Sequence, residues 1–278
     1  MPGKAYGLFI LSAILAALTA PVRGQDLPGT PAIGIIIDDI GYRHRDDRKA
    51  IDLPGPITYA ILPHSPHAEA MSRLARERGK DVLVHLPMEA AERTQNRFLG
   101  PGALTAEMDR AEFTRTVAWD LYSVPGAIGV SNHMGSLLTR LSVQMEWLME
   151  SLRIHDKFYV DSVTSHRSVA RAAAGRKRIP YLRRDVFLDN LQDAAHIERQ
   201  FDYLIGLARR QGRAIAIGHP YPETIEVLRR RLGMLDRQGV ALLSVGALMA
   251  SEAPGEASMQ VSFPPRNRPA TAKRFATP

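Results

Sequence analysis

The chain has 278 residues and no cysteine, which excludes a disulfide scaffold, thiolate catalysis and lipid attachment at an N-terminal cysteine. Thirty-six Lys and Arg face 29 Asp and Glu, a formal charge of +7, and 45% of the residues are apolar. Such a composition belongs to a globular chain, of one large α/β domain or two smaller ones.

Residues 1–24 place Lys4 ahead of an apolar run from Leu8 to about Ala20. That run is short of the roughly 20 residues a spanning helix needs. Val22 and Gly24 put small residues at the −3 and −1 positions of a cleavage site before Gln25. The layout is that of a signal peptide removed on export, leaving no stable membrane span; an uncleaved N-terminal anchor is the alternative. Loss of Lys4 and Arg23 leaves 34 basic against 29 acidic residues, a net of +5. An exported chain without disulfides predicts a periplasmic or secreted protein, and it sets nucleic acid aside as a partner.

After a linker at 25–31, one rhythm fills residues 32–252. Short β-branched runs end in a polar residue, and an amphipathic stretch follows each. The runs are AIGIIIDD (32–39), ITYAILPH (57–64), DVLVHLPME (81–89), GAIGVSNH (126–133), KFYVDS (157–162), RRDVFLDN (183–190), RAIAIGHP (213–220) and GVALLSVG (239–246). Helical spacing occupies 66–79, opened by Pro66 and closed by Gly79, and 105–123, where Thr105 is placed to cap. It recurs over 142–156, 193–211 and 222–238. Strands alternating with helices predict parallel βαβ units, and apolar runs without strict alternation predict strands buried on both faces. Seven or eight such units predict an α/β chain folded as a (β/α) barrel. An open doubly wound sheet competes, but no glycine-rich phosphate loop follows the first strand.

Chemistry gathers at the carboxyl ends of these runs: Asp38 and Asp39, His64, His85, His133, Asp161, Asp189 and His219. In a barrel those ends converge on one face, which carries the active site. The adjacent Asp38 and Asp39 suit a divalent cation, or a turn. His85 with Glu89 four residues on offers one or two metal ligands, and Asn132 and Ser136 flank His133 and Gly135 in SNHMGS. His219 suits a general acid or base. His64 and His67, in a Pro-rich loop, are expected to be solvated. Seven basic residues without an acid, Arg167, Arg171, Arg176, Lys177, Arg178, Arg183 and Arg184, read as a solvated face or a contact for an anionic envelope glycan. The end of the chain, 253–278, has five prolines and no apolar period, and is expected to be disordered.

Together, IIIDDIG, ITYAILPHSPHA, VLVHLPME, GVSNHMGSLLT, FYVDSVTS, RRDVFLDN and AIAIGHP resemble the divergent polysaccharide deacetylases over about residues 32–250. The resemblance implies a distorted (β/α) barrel of the polysaccharide deacetylase type and removal of N-acetyl groups from an envelope polysaccharide. It implies a divalent metal, zinc first and Mn, Ni or Co as alternatives. By the family pattern Asp38 is the base, Asp39 and His85 bind metal, and His219 protonates the leaving amine. The sequence departs from the pattern in three places: the usual glycine after the Asp38-Asp39 pair is displaced by Ile40 to Gly41, Glu89 stands where a second histidine is usual, with His133 able to supply the imidazole, and no Arg-x-Pro-Tyr motif is visible. Asn132, Ser136, Asp161, Asp185 and Asp189 are the expected substrate-binding set. A deacetylase fold that binds glycan or an envelope protein without turnover is the alternative function.

Overall fold

A computed structural model of the chain describes residues 29–251, so the expected signal peptide, most of the 25–31 linker and the 253–278 tail lie outside the described residues. Nine strands form one sheet: β1 (Ala32–Ile40), β2 (Thr58–Ile61), β3 (Asp81–Met88), β4 (Gly129–Met134), β5 (Phe158–Asp161), β6 (Tyr181–Arg183), β7 (Val186–Phe187), β8 (Arg213–Gly218) and β9 (Ala241–Leu242). Their order is β6-β5-β4-β3-β2-β1-β8-β7, and β9 pairs with the first residues of β1. All pairings are parallel.

The barrel closes through one short pass of chain. Tyr181, Leu182 and Arg183 pair with β5, and Arg184 N donates to Asp161 O at 2.9 Å. One residue later Asp185 N donates to Ile215 O at 2.8 Å, and Val186 and Phe187 pair with β8. Residues 181–187 therefore leave the β5 edge and join the β8 edge within a dipeptide. The result is a distorted (β/α) barrel rather than an open doubly wound sheet.

Side-chain parity splits the core in two. Alternate strand residues point to opposite faces, so Ala32, Ile36, Ala60, Leu83, Val160, Leu182, Ile215 and Ile217 fill the barrel. Ile33, Ile35, Ile37, Tyr59, Val82, Val84 and Val130 face outward against the helices. These helices are α1 (His44–Ile51), α2 (Ala68–Glu77), α3 (Arg110–Ser123), α4 (Ser142–Ile154), α5 (Ala170–Lys177), α6 (Ala194–Gln211), α7 (Pro222–Leu232) and α8 (Val245–Ser251). α8 stops the amino-terminal end of the barrel with Val245 and Leu248. Thr58 Oγ1 and Asp81 Oδ2 accept from its first amides, Val245 N and Gly246 N. Gly34 makes room for the stopper, because a Cβ there would stand 2.6 Å from Leu248 Cδ1.

Two sequence expectations need correction. The run 239–246 is a strand only at Ala241–Leu242, and Val245 already begins α8. α3 starts at Arg110, capped by Asp109, whose carboxylate accepts from Glu112 N at 2.8 Å. Thr105 cannot be the cap because its neighbours are bound to the end of β3: Leu104 N donates to Pro87 O and Ala106 N to Glu89 Oε2. Among the described residues no helix is long and apolar enough to cross a membrane.

Candidate active site

β1 delivers two adjacent carboxylates to one place by breaking its own regularity. Ile37 pairs with Tyr59 but Ile40 pairs with Ile61, so β1 carries one residue more than β2 across this step. The bulge falls on Asp38 and Asp39, and Asp39 takes a left-handed backbone with φ 60°. A bulge re-aims side chains that would otherwise alternate across the sheet. Both carboxylates consequently reach the carboxyl-end mouth of the barrel.

There they meet three histidines. His85 on β3 places Nε2 3.2 Å from Asp39 Oδ1 and 3.5 Å from Asp38 Oδ2. His133 on β4 places Nδ1 2.9 Å from the same Asp39 Oδ1. His219, one residue past β8, places Nε2 3.7 Å from Asp39 Oδ2. Partners on the far side orient two of the rings. His85 Nδ1 is 2.9 Å from Ser131 Oγ. Asp189 receives His219 Nδ1 at 2.9 Å, His219 N at 2.6 Å and Thr224 Oγ1 at 2.7 Å.

Asp39, His85 and His133 are grouped as ligands of a cation would be, their ligand atoms all within 4.8 Å of one another. Asp39 Oδ1, which both ring nitrogens approach, is buried and has no well-aligned hydrogen-bond donor among the described residues. Ligand atoms around a four-coordinate zinc stand about 3.3 Å apart at usual bond lengths, close to the 2.9 and 3.2 Å found here. One carboxylate with two imidazoles suits zinc, manganese, cobalt or nickel, so the residues present fit a divalent metal. Glu89 does not join them: Ala106 N donates to its Oε2 at 2.7 Å.

Burial pushes the Asp39 carboxyl upward, but His133 and His85 outweigh it and hold it well below the ordinary range. Asp38 is raised by its burial, against the opposing pull of His85 and His219, and its Oδ1 has no partner among the described residues. Burial alone would lower His219, but its hydrogen bond to Asp189 and the charge of Asp39 lift it to about 9.

These groups line a cavity of about 610 Å³, within the range that holds a small ligand. Ser136 belongs to its wall, with Oγ accepting from Ala91 N. Asn132 does too, but its side chain is committed to Tyr159 OH, Ser162 N and Met134 O. Asp161 and Asp185 lie behind the wall. Asp161 accepts from Val163 N, Ser168 Oγ and Tyr181 OH, and Asp185 from Ile215 N. Asp189 serves His219. Sequence reasoning missed Ser131, Thr224, Glu92, Gln95 and the pocket position of Arg184. For Ser131 the signal was present, since it falls two residues before His133 on the same inward face.

His64 is not solvated. Its Nε2 lies 2.9 Å from Asp120 Oδ1, and its ring stacks on Trp119 with centroids 3.4 Å apart.

Comparison with known proteins agrees with this architecture. The chain is 36% identical to the uncharacterized protein YibQ of Escherichia coli K12 over 262 residues, 94% of this chain and 77% of that one. It is 36% identical to an uncharacterized protein of Haemophilus influenzae over 220 residues, 79% of this chain and 77% of that one. An uncharacterized protein of Agrobacterium tumefaciens C58 superposes with a TM-score of 0.75 at 24% identity, over 79% of this chain and 89% of the other. A mutant of BA3943, a CE4 family pseudoenzyme from Bacillus anthracis with restored enzymatic activity, gives 0.50 at 11% identity, over 80% and 69%. The sequence model of the family described as divergent polysaccharide deacetylase matches residues 35–249. By its sequence, the chain belongs to the divergent polysaccharide deacetylase family.

Proposed function

We propose that this chain is an exported, metal-dependent hydrolase that removes N-acetyl groups from a cell-envelope polysaccharide. The observation that carries the reading is the meeting of Asp39, His85 and His133 in one cavity, with Asp38 and His219 beside them. Asp39, His85 and His133 would hold the metal. When bound, the metal supplies Lewis acidity towards water and the acyl carbonyl.

The chain's own groups then divide the proton work. Asp38, buried with an unpartnered Oδ1, is the base that accepts a proton from the attacking water. His219, whose Nδ1 pairs with the Asp189 carboxylate, carries the proton that the departing amine needs. Asp189 keeps that ring fixed through Nδ1 and leaves Nε2 towards the reaction. Ser131 does the same for His85.

Elemental analysis of the purified protein, reconstituted with Zn or Mn, tests the first half. Near one metal per chain is expected, with little in Asp39→Asn and His85→Ala, whereas Asp38→Asn keeps its metal. Acetate release from N-acetylated oligosaccharides tests the second, and Asp38→Asn should lower it by about 100-fold or more. A chain that binds no metal overturns the hydrolytic reading. Metal bound without turnover on any N-acyl glycan leaves a glycan-binding module.

A further inference from the structure

Of the seven basic residues clustered between 167 and 184, Arg184 alone lines the cavity. Others are settled elsewhere: Arg176 on Glu146, Lys177 near Glu150, Arg171 over the Tyr181 ring. Arg184 is held by neutral partners. Its Nε donates to Ser162 O at 2.7 Å, its Nη2 to Val163 O at 3.1 Å, and its guanidinium lies 4.9 Å from the centroid of Phe187.

A guanidinium has five N–H donors. The two carbonyls take two, and among the described residues Nη1 has no hydrogen-bond partner and no carboxylate forms a salt bridge with the group. Burial pushes its pKa down, although the charges of Asp38, Asp161 and Asp185 oppose the shift. A cation partly stripped of water, with no carboxylate in direct contact, gains from an anion that a ligand brings against it.

The backbone that grips Arg184 is rigid and strained. Val163 has φ 50°, a left-handed conformation that β-branched residues avoid. Asp161 holds it from the N–H and Arg184 from the carbonyl. The guanidinium is thereby fixed before any ligand arrives, which lowers the entropy lost on binding.

We propose that Arg184 receives a carboxylate of the substrate, and that the substrate is an acidic N-acylated glycan bearing that carboxylate on the reacting sugar or its neighbour. The proposal rests on the glycan-hydrolase reading and adds the charge of the glycan to it. A planar fork suits a carboxylate bidentately, and Arg184 is the residue through which the cavity selects for charge.

Calorimetry on the whole protein tests this with two N-acetylated tetrasaccharides, a neutral chitin tetramer and one alternating N-acetylglucosamine with glucuronic acid. The acidic ligand is expected to bind at least ten-fold tighter at low salt, with the advantage shrinking as salt rises. Arg184→Gln should erase the preference, while Arg184→Lys keeps part of it. Equal affinities in the parent protein overturn the proposal without needing a variant to fold. So does a proportional loss of both ligands in Arg184→Gln, which would mean that the residue only shapes the closing seam. An equal fall in kcat on both ligands with the preference intact also overturns it, and assigns Arg184 to Asp38 instead. Turnover of neutral glycan without preference sinks this proposal and leaves the hydrolase standing, whereas binding of neither ligand sinks both.

Discussion

Asp38 and Asp39 show how much one residue of irregularity can do. In a regular strand one of the two would point into the helix layer, and the bulge with φ 60° at Asp39 brings both to the mouth. Only short polar residues and glycine enter that backbone region cheaply. Asp39→Asn should therefore lose metal yet unfold at higher urea than Asp39→Ala, by about 1 kcal/mol of stability in the metal-free proteins. Equal midpoints would mean that the bulge relaxes. A second buried acid lies outside the site. Asp120 is fully buried, its Oδ2 has no partner among the described residues, and burial raises its pKa to about 9. Above about pH 4 the unfolded chain releases this proton while the folded chain keeps it, so folding stability falls as pH climbs towards 9. Between pH 7 and 9 Asp120 should add up to about 1.4 kcal/mol per unit to this slope, beside a like contribution from His219, whose folded pKa is also raised to about 9. Asp120→Asn should remove its share of the slope and leave that of His219, as read from urea unfolding at the two pH values.

Elements were legible in the sequence where hydrophobic period and strand-end chemistry agreed. The parity of β1, β3, β4 and β8 places Asp38, His85, His133 and His219 on the inward rows that begin with Ala32, Leu83, Gly129 and Ile215. That pattern is local, and so it could be read. The run 183–190 reads as one strand but belongs to two, β6 and β7, at opposite edges of the sheet, and three helices were not legible. α1 and α5 are short and charged, and α8 opens with the same apolar residues that a strand would use. Whether GVALLSVG ends as strand or helix is decided by Thr58 and Asp81, which accept from the first amides of α8 and lie far away in sequence. Glu89 was misplaced for a related reason. Four-residue spacing brings ligands together on a helix, but β3 ends at Met88 and the chain turns Glu89 towards Ala106. The cap of α3 gives a direct check on element-scale energetics. Asp109→Ala should cost about 1 kcal/mol, whereas Thr105→Ala should shift the urea midpoint much less. The α8 stopper gives another: Gly34→Val would drive a side chain into Leu248 and should destabilise by about 1–3 kcal/mol.

The whole molecule is a barrel whose closure is far thinner than its centre. β1 holds β8 over six paired residues and β3 holds β4 over six. The seam is carried by three residues of β6, two of β7 and the Arg184–Asp185 step between them. Asp185 works across this step twice. Its backbone N–H binds Ile215 O, and its side chain accepts from Ile215 N at 2.9 Å, so one residue closes both hydrogen bonds onto β8. Burial raises its carboxyl against the pull of the Ile215 amide and nearby arginines. A buried amide that loses its acceptor costs about 1–3 kcal/mol. Asp185→Ala should accordingly destabilise the fold by that amount, and hydrogen exchange should show where. Amides of 181–188 and 213–217 should exchange faster, while β2, β3 and the amino-terminal half of β4 keep their protection, because openings follow cooperative units. Uniform loss across the sheet would mean that the barrel opens only as a whole. Local opening at the seam would move Arg184 and Phe187 together, since both sit on this pass and both line the cavity. Metal affinity should then survive in Asp185→Ala, because Asp39, His85 and His133 stand on β1, β3 and β4 and none of them on β6, β7 or β8.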